Sequence, residues 1–199
     1  DTWQYQTEIH QQLKEEKKNI NNPNPSHTLI FCEHHAVFTL GRSGSQENLI
    51  VSPEYLAENN IQFYKINRGG DITYHGPGQI VGYPIVRLAK PTELVGFVRE
   101  IESALIDTCN EFGLHVQRIK GRSGVWIKDD VNPRKIAAIG IRVAKGTTMH
   151  GFALNVNPDL SAFSQIIPCG IVDAQVTSMA QELKREISAS EVMPVLERN

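Results

Sequence analysis

The segment Arg68–Leu88, RGGDITYHGPGQIVGYPIVRL, decides the fold class because it contains a glycine-rich loop followed by an apolar run. The residues before the loop, Ile61–Ile66, alternate apolar and polar side chains, and Gln79–Leu88 after it is strand-like. The loop is therefore predicted to join one strand to another. Pro84 lies inside the second run, so a helix cannot begin directly after the loop.

This loop does not have the pattern of a nucleotide-phosphate site. A P-loop needs a Lys-Ser/Thr pair at its end, and a dinucleotide-binding loop needs a following helix whose N-terminus meets the pyrophosphate. The segment has neither. We interpret its glycines as allowing close backbone approach to some other ligand. Arg68 and His75 add a fixed positive charge and a pH-sensitive polar group beside it.

Most other regular elements that the sequence predicts are β-strands. Short apolar or alternating runs bounded by turn residues are typical of strands. They lie at Thr28–Cys32, Ala36–Leu40, Val116–Ile119, Ser123–Lys128, Ile136–Val143 and Met149–Val156. Because helices do not alternate regularly with these strands, the pattern favours mostly antiparallel or mixed sheets.

One long helix is predicted at Glu93–Phe112, where apolar residues recur at three and four positions. Thr92 is its candidate N-cap, and Gly113 ends it. Two shorter helices are predicted, one at Trp3–Lys18 with Ile9 and Leu13 on one apolar face, and a final one from a cap at Thr177 or Ser178 through Leu183. The whole chain, residues 1–199, is therefore predicted to be a single α+β domain.

Composition excludes several classes of protein. The chain has 20 Lys+Arg against 22 Asp+Glu, a net charge of −2, which gives no sign of nucleic-acid binding. It has no apolar run of about 20 residues and no secretory signal, so we expect a cytoplasmic protein that binds no membrane. We also expect a monomer. Basic residues predominate from Arg118 to Lys145. This segment is either an ordinary solvated surface or a contact for an acidic partner.

The three cysteines are odd in number and far apart, which argues against a disulfide scaffold or a four-ligand zinc site. Cys109 falls on the apolar stripe of the long helix and is predicted to lie in the core. Cys169 stands between proline and glycine, which can present a thiol at the end of a loop. Cys169 is therefore the candidate nucleophile. The adjacent His34 and His35 would point to opposite sides of a strand, so no metal site is predicted there.

A nucleophilic thiol with a pKa of about 8.5 needs a base or a cationic neighbour at neutral pH. His75 and His150 are available, and Lys135 is a further candidate. Strand alternation places Lys135 on the face that includes Ala137 and Val143. At the end of an apolar face, a lysine is either desolvated, which lowers its pKa, or extends to solvent.

Five segments together resemble the lipoyl(octanoyl) transferases, the octanoyl-carrier-protein:protein N-octanoyltransferases of lipoate biosynthesis. They are RGGDITYHGPGQIVGYPI at 68–85, GRSGVWI at 121–127, RKIAAIGIRV at 134–143, HGFALNVNPDL at 150–160 and IIPCGI at 166–171. The segments occur in the family's order and extend over most of the chain. The glycine loop is shared with lipoate and biotin ligases, whereas the Lys135 strand and the Pro-Cys-Gly element make the combination specific.

The resemblance implies a fold like the catalytic domain of biotin and lipoate protein ligases, an α/β sandwich with mixed or antiparallel sheets. It implies that Cys169 carries an acyl-thioester intermediate and that Lys135 lowers the pKa of that thiol and moves protons. The implied substrate contacts are Arg68, Gly69, Gly70, Asp71, Ile72, Thr73, Tyr74, His75, Ala138, Ile139, Gly140, Gly151, Phe152 and Ala153.

The implied reaction transfers octanoate from the phosphopantetheine of acyl carrier protein to a lysine of a lipoyl domain. The implied acceptors are the lipoyl domains of 2-oxoacid dehydrogenase complexes and the glycine cleavage H protein, and neither ATP nor a metal is required. Three alternatives remain open. The chain is an ATP-dependent lipoate ligase that does not need Cys169, a cysteine hydrolase or thioesterase that uses His75 or His150, or a non-catalytic acyl-group or lipoyl-domain binder.

Overall fold

A computed structural model describes residues 2–16, 26–90, 93–129, 131–167 and 175–199. The strands are β1 Thr28–Cys32, β2 Val37–Leu40, β3 Gln62–Lys65, β4 Ile72–His75, β5 Gln79–Ile85, β6 Val116–Ile119, β7 Arg122–Ile127, β8 Arg134–Ala144, β9 Thr147–Asn155 and β10 Gln175–Val176. The helices are α1 Thr2–Glu16, α2 Pro53–Glu58, α3 Leu94–Glu111, α4 Met179–Leu183 and α5 Ala189–Arg198, with 3₁₀ turns at Gln46–Asn48 and Leu160–Gln165.

Two sheets organise these elements. The large sheet has seven strands in the order β1-β5-β9-β8-β7-β6, antiparallel throughout, with β10 parallel to β8. The small sheet has the order β3-β2-β4, in which β3 is parallel and β4 antiparallel to β2. This arrangement confirms the predicted α+β fold with mixed and antiparallel sheets.

Each sheet has its own hydrophobic core. In the main core, Leu105 of α3, Met179 of α4 and Val192 of α5 pack with strand residues of the large sheet such as Ile136 and Leu154. A smaller core forms where the small sheet packs against α2 and the 3₁₀ turn at Leu160–Gln165. Among the described residues, no helix is long and apolar enough to cross a bilayer.

The structure confirms most of the predicted elements to within a few residues. The long helix α3 ends before Gly113, which has the positive φ of +82° that favours glycine. Cys109 is fully buried in the main core, as predicted. The N-cap position of α3 holds Glu93, whereas the predicted cap Thr92 lies outside the described residues. Ser178 caps α4 by accepting a hydrogen bond from the backbone N–H of Gln181.

Three elements differ from the sequence-based prediction. The glycine loop contains the strand β4, which pairs with β2 through contacts distant in the sequence. Helix α2 was not predicted because it is short, although Ser52 caps it and Pro53 begins it. Helix α5 follows α4, so α4 is not the last helix as predicted. Pro194 lies inside α5, and a proline within a sequence pattern argues against a helix there.

Helix α1 confirms the helix predicted near the N-terminus but not its inward face. The structure buries Gln6, His10 and Leu13, whereas Ile9 is only partly buried. The side chain of Gln6 accepts a hydrogen bond from the backbone N–H of His150 in β9 (3.2 Å). Helix α1 therefore packs on the large sheet partly through polar contacts, which an apolar periodicity does not detect.

Candidate active site

A cavity of about 560 Å³ lies between the large and small sheets, and the first turn of α1 forms part of its wall. Lys135 lines this cavity. So do all the implied substrate contacts except Tyr74, namely Arg68, Gly69, Gly70, Asp71, Ile72, Thr73, His75, Ala138, Ile139, Gly140, Gly151, Phe152 and Ala153. The fold thus brings three separate segments and the candidate lysine to one place.

Tyr74 lies in the small core instead of on the cavity wall. It is 5% exposed, and its ring packs against Phe38 (5.4 Å between centroids) and Phe163 (5.6 Å). Its neighbours in β4, Thr73 and His75, line the cavity. Because successive side chains of a strand point to opposite faces, Tyr74 anchors β4 while its neighbours face the site.

Glycines let the loop lie directly on β8. A Cβ atom at Gly69 would be 2.8 Å from the carbonyl oxygen of Ile141, and one at Gly140 would be 2.9 Å from the carbonyl oxygen of Gly69. Both obstacles are backbone atoms, which cannot rotate away as a side chain can. The absence of Cβ atoms at these two positions is therefore what permits the loop to form this side of the cavity.

Arg68 and Asp71 hold the loop in place. The guanidinium of Arg68 is buried and donates hydrogen bonds to the Thr39 carbonyl (2.6 Å), the Thr39 hydroxyl (3.0 and 3.2 Å) and the Gly69 carbonyl (3.0 Å). The carboxylate of Asp71 accepts from the backbone N–H of Ile72 and the side chain of Asn48, both at 2.6 Å. These contacts tie the loop to β2 through Thr39 and to the 3₁₀ turn at Gln46–Asn48 through Asn48.

Lys135 was predicted to share a face of its strand with Ala137, and the structure contradicts this prediction. The pairing of β7 with β8 shifts between Val125 and Trp126, which leaves Ile136 as an extra residue in β8. Such a bulge reverses the alternation of side chains on either side of it. Ala137 is consequently buried in the main core, whereas Lys135 lines the cavity.

Lys135 is held by neighbours on two sides. Its Nζ atom lies 4.6 Å from the ring centroid of Trp126, which is fully buried. On the other side, Val176 of β10 pairs with Lys135 in the parallel ladder, and the backbone N–H of Thr177 donates to the Lys135 carbonyl (2.9 Å). The lysine therefore stands on a strand whose backbone is fixed at this residue.

Three of the histidines that line the cavity, His34, His75 and His150, favour the neutral form. Burial, together with the positive charges around it, lowers the pKa of His75 to about 3, and its Nδ1 hydrogen-bonds to Gln79 Oε1 (3.1 Å). Burial likewise lowers the pKa of His150 to about 4 and lowers that of His34. Neutral imidazoles supply hydrogen bonds instead of positive charge.

His34 and His35 both line the cavity, which contradicts the expectation that they point to opposite sides. That expectation assumed a strand, but these residues lie in the connection between β1 and β2. His34 Nε2 hydrogen-bonds to the hydroxyl of Tyr83 (2.7 Å). Among the described residues, no group of three or more His, Cys, Asp or Glu side chains is arranged to hold a metal ion.

Several cavity residues were not predicted to belong to the site. Trp3 and Gln6 come from α1, and Gln79 and Asn155 stand on the paired strands β5 and β9. Each lies in an element whose local pattern indicates packing and not ligand binding. Only the three-dimensional arrangement places them on the cavity that Lys135 also lines.

The candidate nucleophile Cys169 lies outside the described residues. The chain on either side of it is held next to the site. Before it, the backbone N–H of Ile167 donates to the Asn48 carbonyl (2.8 Å). After it, Val176 lines the cavity and pairs with Lys135.

Part of the basic excess between Arg118 and Lys145 is neutralised within the protein. Arg118 pairs with the buried carboxylate of Glu102 (3.0 Å). Arg134 pairs with Glu182 (2.8 Å) and Asp129 (2.9 Å). These two arginines therefore stabilise the fold, and any contact with an acidic partner depends on other residues of the segment.

Comparison with known proteins defines the class of the chain. Residues 1–199 match the model of the lipoyl protein ligase A/B catalytic domain. An archaeal bi-partite lipoate protein ligase from Thermoplasma acidophilum has the same fold, with a TM-score of 0.73 and 18% identity over 98% of this chain and 76% of that one. The chain belongs to the family of lipoyl protein ligase A/B catalytic domains.

Relatives of much higher sequence similarity are octanoyltransferases. The octanoyltransferase of Cytophaga hutchinsonii is 47% identical over 204 residues, which cover 98% of this chain and 83% of that protein. The octanoyltransferase of Mycolicibacterium smegmatis is 49% identical over 183 residues, covering 91% and 77%. This similarity makes the chain an acyltransferase and supports octanoyl transfer in protein lipoylation as its activity.

Proposed function

We propose that the chain transfers an octanoyl group from acyl carrier protein to a lysine of a lipoyl domain through a thioester on Cys169. The observation that carries this proposal is the position of Lys135 on the wall of a cavity that the three implied substrate segments also line. Cys169 follows Ile167 by two residues and precedes Val176, the partner of Lys135 in the β-ladder, by seven. This closeness in sequence to the strand partner of Lys135 supports the assignment of Cys169 to the same site.

The first half-reaction forms the acyl-enzyme. Neutral Lys135 takes the proton of the Cys169 thiol, and the thiolate attacks the carbonyl carbon of the octanoyl thioester. The tetrahedral intermediate collapses as the bond to the pantetheine sulfur breaks. Lys135 returns its proton to that departing sulfur, which leaves octanoyl-Cys169 and a free pantetheine thiol.

The second half-reaction forms the product amide. The neutral ε-amine of the acceptor lysine attacks the octanoyl-Cys169 thioester, and Lys135 accepts the proton that the amine loses. The bond to the Cys169 sulfur then breaks, and the proton on Lys135 passes to that sulfur. Because the acyl donor is already activated and an amide is more stable than a thioester, the transfer runs downhill without ATP. No step assigned to Lys135 or Cys169 uses a metal ion.

The proposed acceptor is the lipoyl-lysine site of a lipoyl domain, including those of 2-oxoacid dehydrogenase complexes and the glycine cleavage H protein. The structurally similar archaeal ligase belongs to a lipoylation system with an E2 lipoyl domain, which supports an acceptor of that kind. We propose the acyl carrier protein as the donor and a monomer as the active form.

Intact-mass spectrometry after incubation with octanoyl-acyl carrier protein, without ATP, tests this proposal. We expect an octanoyl adduct on the wild-type enzyme and on Cys32→Ala, no adduct on Cys169→Ala, and strongly reduced adduct formation on Lys135→Ala. A strict ATP requirement with activity retained in Cys169→Ala would establish a ligase instead. Release of free octanoate in the presence of a lipoyl domain would establish a hydrolase, and the absence of any adduct would leave a binding protein.

A further inference from the structure

Two buried amide side chains connect His75 to the Lys135 strand. Gln79 Nε2 donates to Asn155 Oδ1 (2.9 Å), and Asn155 Nδ2 donates to the carbonyl of Thr177 (2.9 Å). Gln79 is 1% exposed, Asn155 5% and Thr177 0%. Since Thr177 in turn donates its backbone N–H to the carbonyl of Lys135 (2.9 Å), a continuous row of hydrogen bonds runs from one side of the cavity to the other.

The chemistry of this row fixes the orientation of both amides. Gln79 Nε2 also faces the backbone carbonyl of Tyr74 (3.2 Å), and a carbonyl oxygen can only accept. The atom of Gln79 at that position must therefore be the amide nitrogen. The same reasoning holds for Asn155, whose nitrogen faces the carbonyl of Thr177. Neither side chain can be reversed without placing two oxygens in contact.

This orientation determines the proton position on His75. Gln79 presents its Oε1 to His75 Nδ1 at 3.1 Å, and an amide oxygen cannot donate a hydrogen bond. Nδ1 must carry the proton. Burial keeps the imidazole neutral by lowering its pKa to about 3, so its Nε2 carries a lone pair. His75 is then a hydrogen-bond acceptor on the cavity wall and neither a cation nor a donor at Nε2.

We propose that Gln79 and Asn155 are positioning residues that hold His75 in the Nδ1–H tautomer and fix the position of its Nε2 relative to Lys135. From this position, Nε2 accepts a hydrogen bond from a substrate N–H. This inference rests on the proposed function, because the octanoyl chain itself has no N–H. The groups that carry one are the amides of the pantetheine arm and the amine of the acceptor lysine.

The structure also explains why the row would hold its geometry. The Thr177 hydroxyl donates to Glu182 Oε1 (2.6 Å), and Glu182 accepts two hydrogen bonds from Arg134 (2.8 and 3.1 Å), the residue before Lys135. Every polar group of Thr177 is therefore engaged, and α4, β8 and β9 are joined at this one residue. A shift of Asn155 would have to move a fully buried threonine.

Two-bond ¹H–¹⁵N correlation spectra of the full chain test the tautomer directly, without any substrate. In wild type at pH 7 we expect the His75 proton on Nδ1. Gln79→Met removes the acceptor and should move the proton to Nε2. Gln11→Met, an exposed position on α1, is the matched control and should change nothing.

Transfer kinetics supply the second readout. We expect Gln79→Met to lower kcat/KM about tenfold to a hundredfold, the consequence of losing one or two buried hydrogen bonds. Loss of adduct formation would assign the substrate N–H to the pantetheine arm, and loss of only the second half-reaction would assign it to the acceptor amine. Both results support the proposal.

Three outcomes overturn it. They are a wild-type spectrum with the proton on Nε2, a Gln79→Met enzyme in which the tautomer changes but the kinetics do not, and one in which activity falls while the Nδ1–H tautomer persists. If Gln79→Met does not fold, the wild-type spectrum alone still decides the tautomer. An Nδ1–H spectrum combined with no adduct on Cys169 would overturn the proposed function and leave the tautomer standing.

Discussion

The Nζ atom of Lys135 lies 4.6 Å from the centroid of the Trp126 ring, on the adjacent strand of the large sheet. The electron-rich face of an indole ring attracts an ammonium group more strongly than it attracts a neutral amine. In the proposed mechanism Lys135 becomes an ammonium each time it accepts a proton. Trp126 is therefore placed to stabilise the charged state that forms during both half-reactions.

Trp126→Leu should slow formation of octanoyl-Cys169 by about twofold to thirtyfold, the kinetic equivalent of a cation–π contact. Trp126→Phe retains an aromatic face and should lie between leucine and wild type. Single-turnover formation of the adduct, followed by mass spectrometry, measures the effect. Because Trp126 is fully buried, circular dichroism must first show that each variant is folded. Equal rates for Trp126→Leu and wild type would contradict a role for the ring.

The close contact between the loop and β8 gives a second prediction. Gly69→Ala should lower the free energy of unfolding by about 1–3 kcal/mol, because the new Cβ would lie 2.8 Å from the Ile141 carbonyl. Gly96→Ala in α3 is the matched control, since no atom lies within 4 Å of a Cβ there. It should raise the free energy of unfolding by about 0.5–1 kcal/mol. Urea denaturation measures both, and similar effects from the two substitutions would contradict the close approach.

The sequence predicts those parts of the fold that depend on local patterns. The apolar run Thr28–Cys32 and the helical spacing in α3 are visible without any knowledge of neighbours. The strand β4 is not visible, because its pairing with β2 joins residues more than thirty positions apart. The bulge at Ile136 is equally invisible, since it depends on how β7 pairs with β8.

The same limit applies to the site. Gly69, Gly140 and Lys135 were recognisable from motifs, and the structure places all three on one cavity. The face on which Lys135 stands was predicted incorrectly, because strict alternation fails across a bulge. Trp3 was not predicted to line the site. It lines the cavity because α1 packs on β9, where the centroid of its ring lies 5.4 Å from that of His150, a residue distant from it in the sequence.

A third prediction concerns the buried carboxylate of Glu102 in α3. It accepts hydrogen bonds from Arg99 (2.5 Å), Arg118 (3.0 Å) and the backbone N–H of Gly124 (3.1 Å). Glu102→Ala should lower the free energy of unfolding by about 1–3 kcal/mol, because the buried N–H of Gly124 loses its acceptor. Denaturant titration measures this loss.

The exposed pair formed by Arg185 and Glu191 is the control for Glu102. Its two side chains are 47% and 43% exposed and 2.8 Å apart. Solvent screens such a pair, so Glu191→Ala should cost no more than about 1 kcal/mol. If Glu102→Ala and Glu191→Ala lower the free energy of unfolding equally, burial of the Glu102 hydrogen bonds does not add to stability as the structure indicates.

The last prediction is a dependence of stability on pH that arises from His75. Its pKa is about 3 in the folded protein, mainly because of burial, and about 6.5 in an unfolded chain. Between these values the unfolded state binds more protons than the folded state, so lowering the pH favours unfolding. The stability contributed by neutral His75 is complete above pH 6.5 and is lost as the pH falls towards 3, by up to about 1.4 kcal/mol per pH unit.

Urea denaturation between pH 4.5 and 7.5 tests this dependence. Wild type should lose stability steadily below about pH 6.5. His75→Gln should be less sensitive to acid, because a side chain that cannot be protonated removes one of the groups responsible. His115→Gln is the control, since His115 is exposed on the surface and should leave the slope unchanged. A slope for His75→Gln equal to that of wild type would show that His75 is not held neutral in the folded protein.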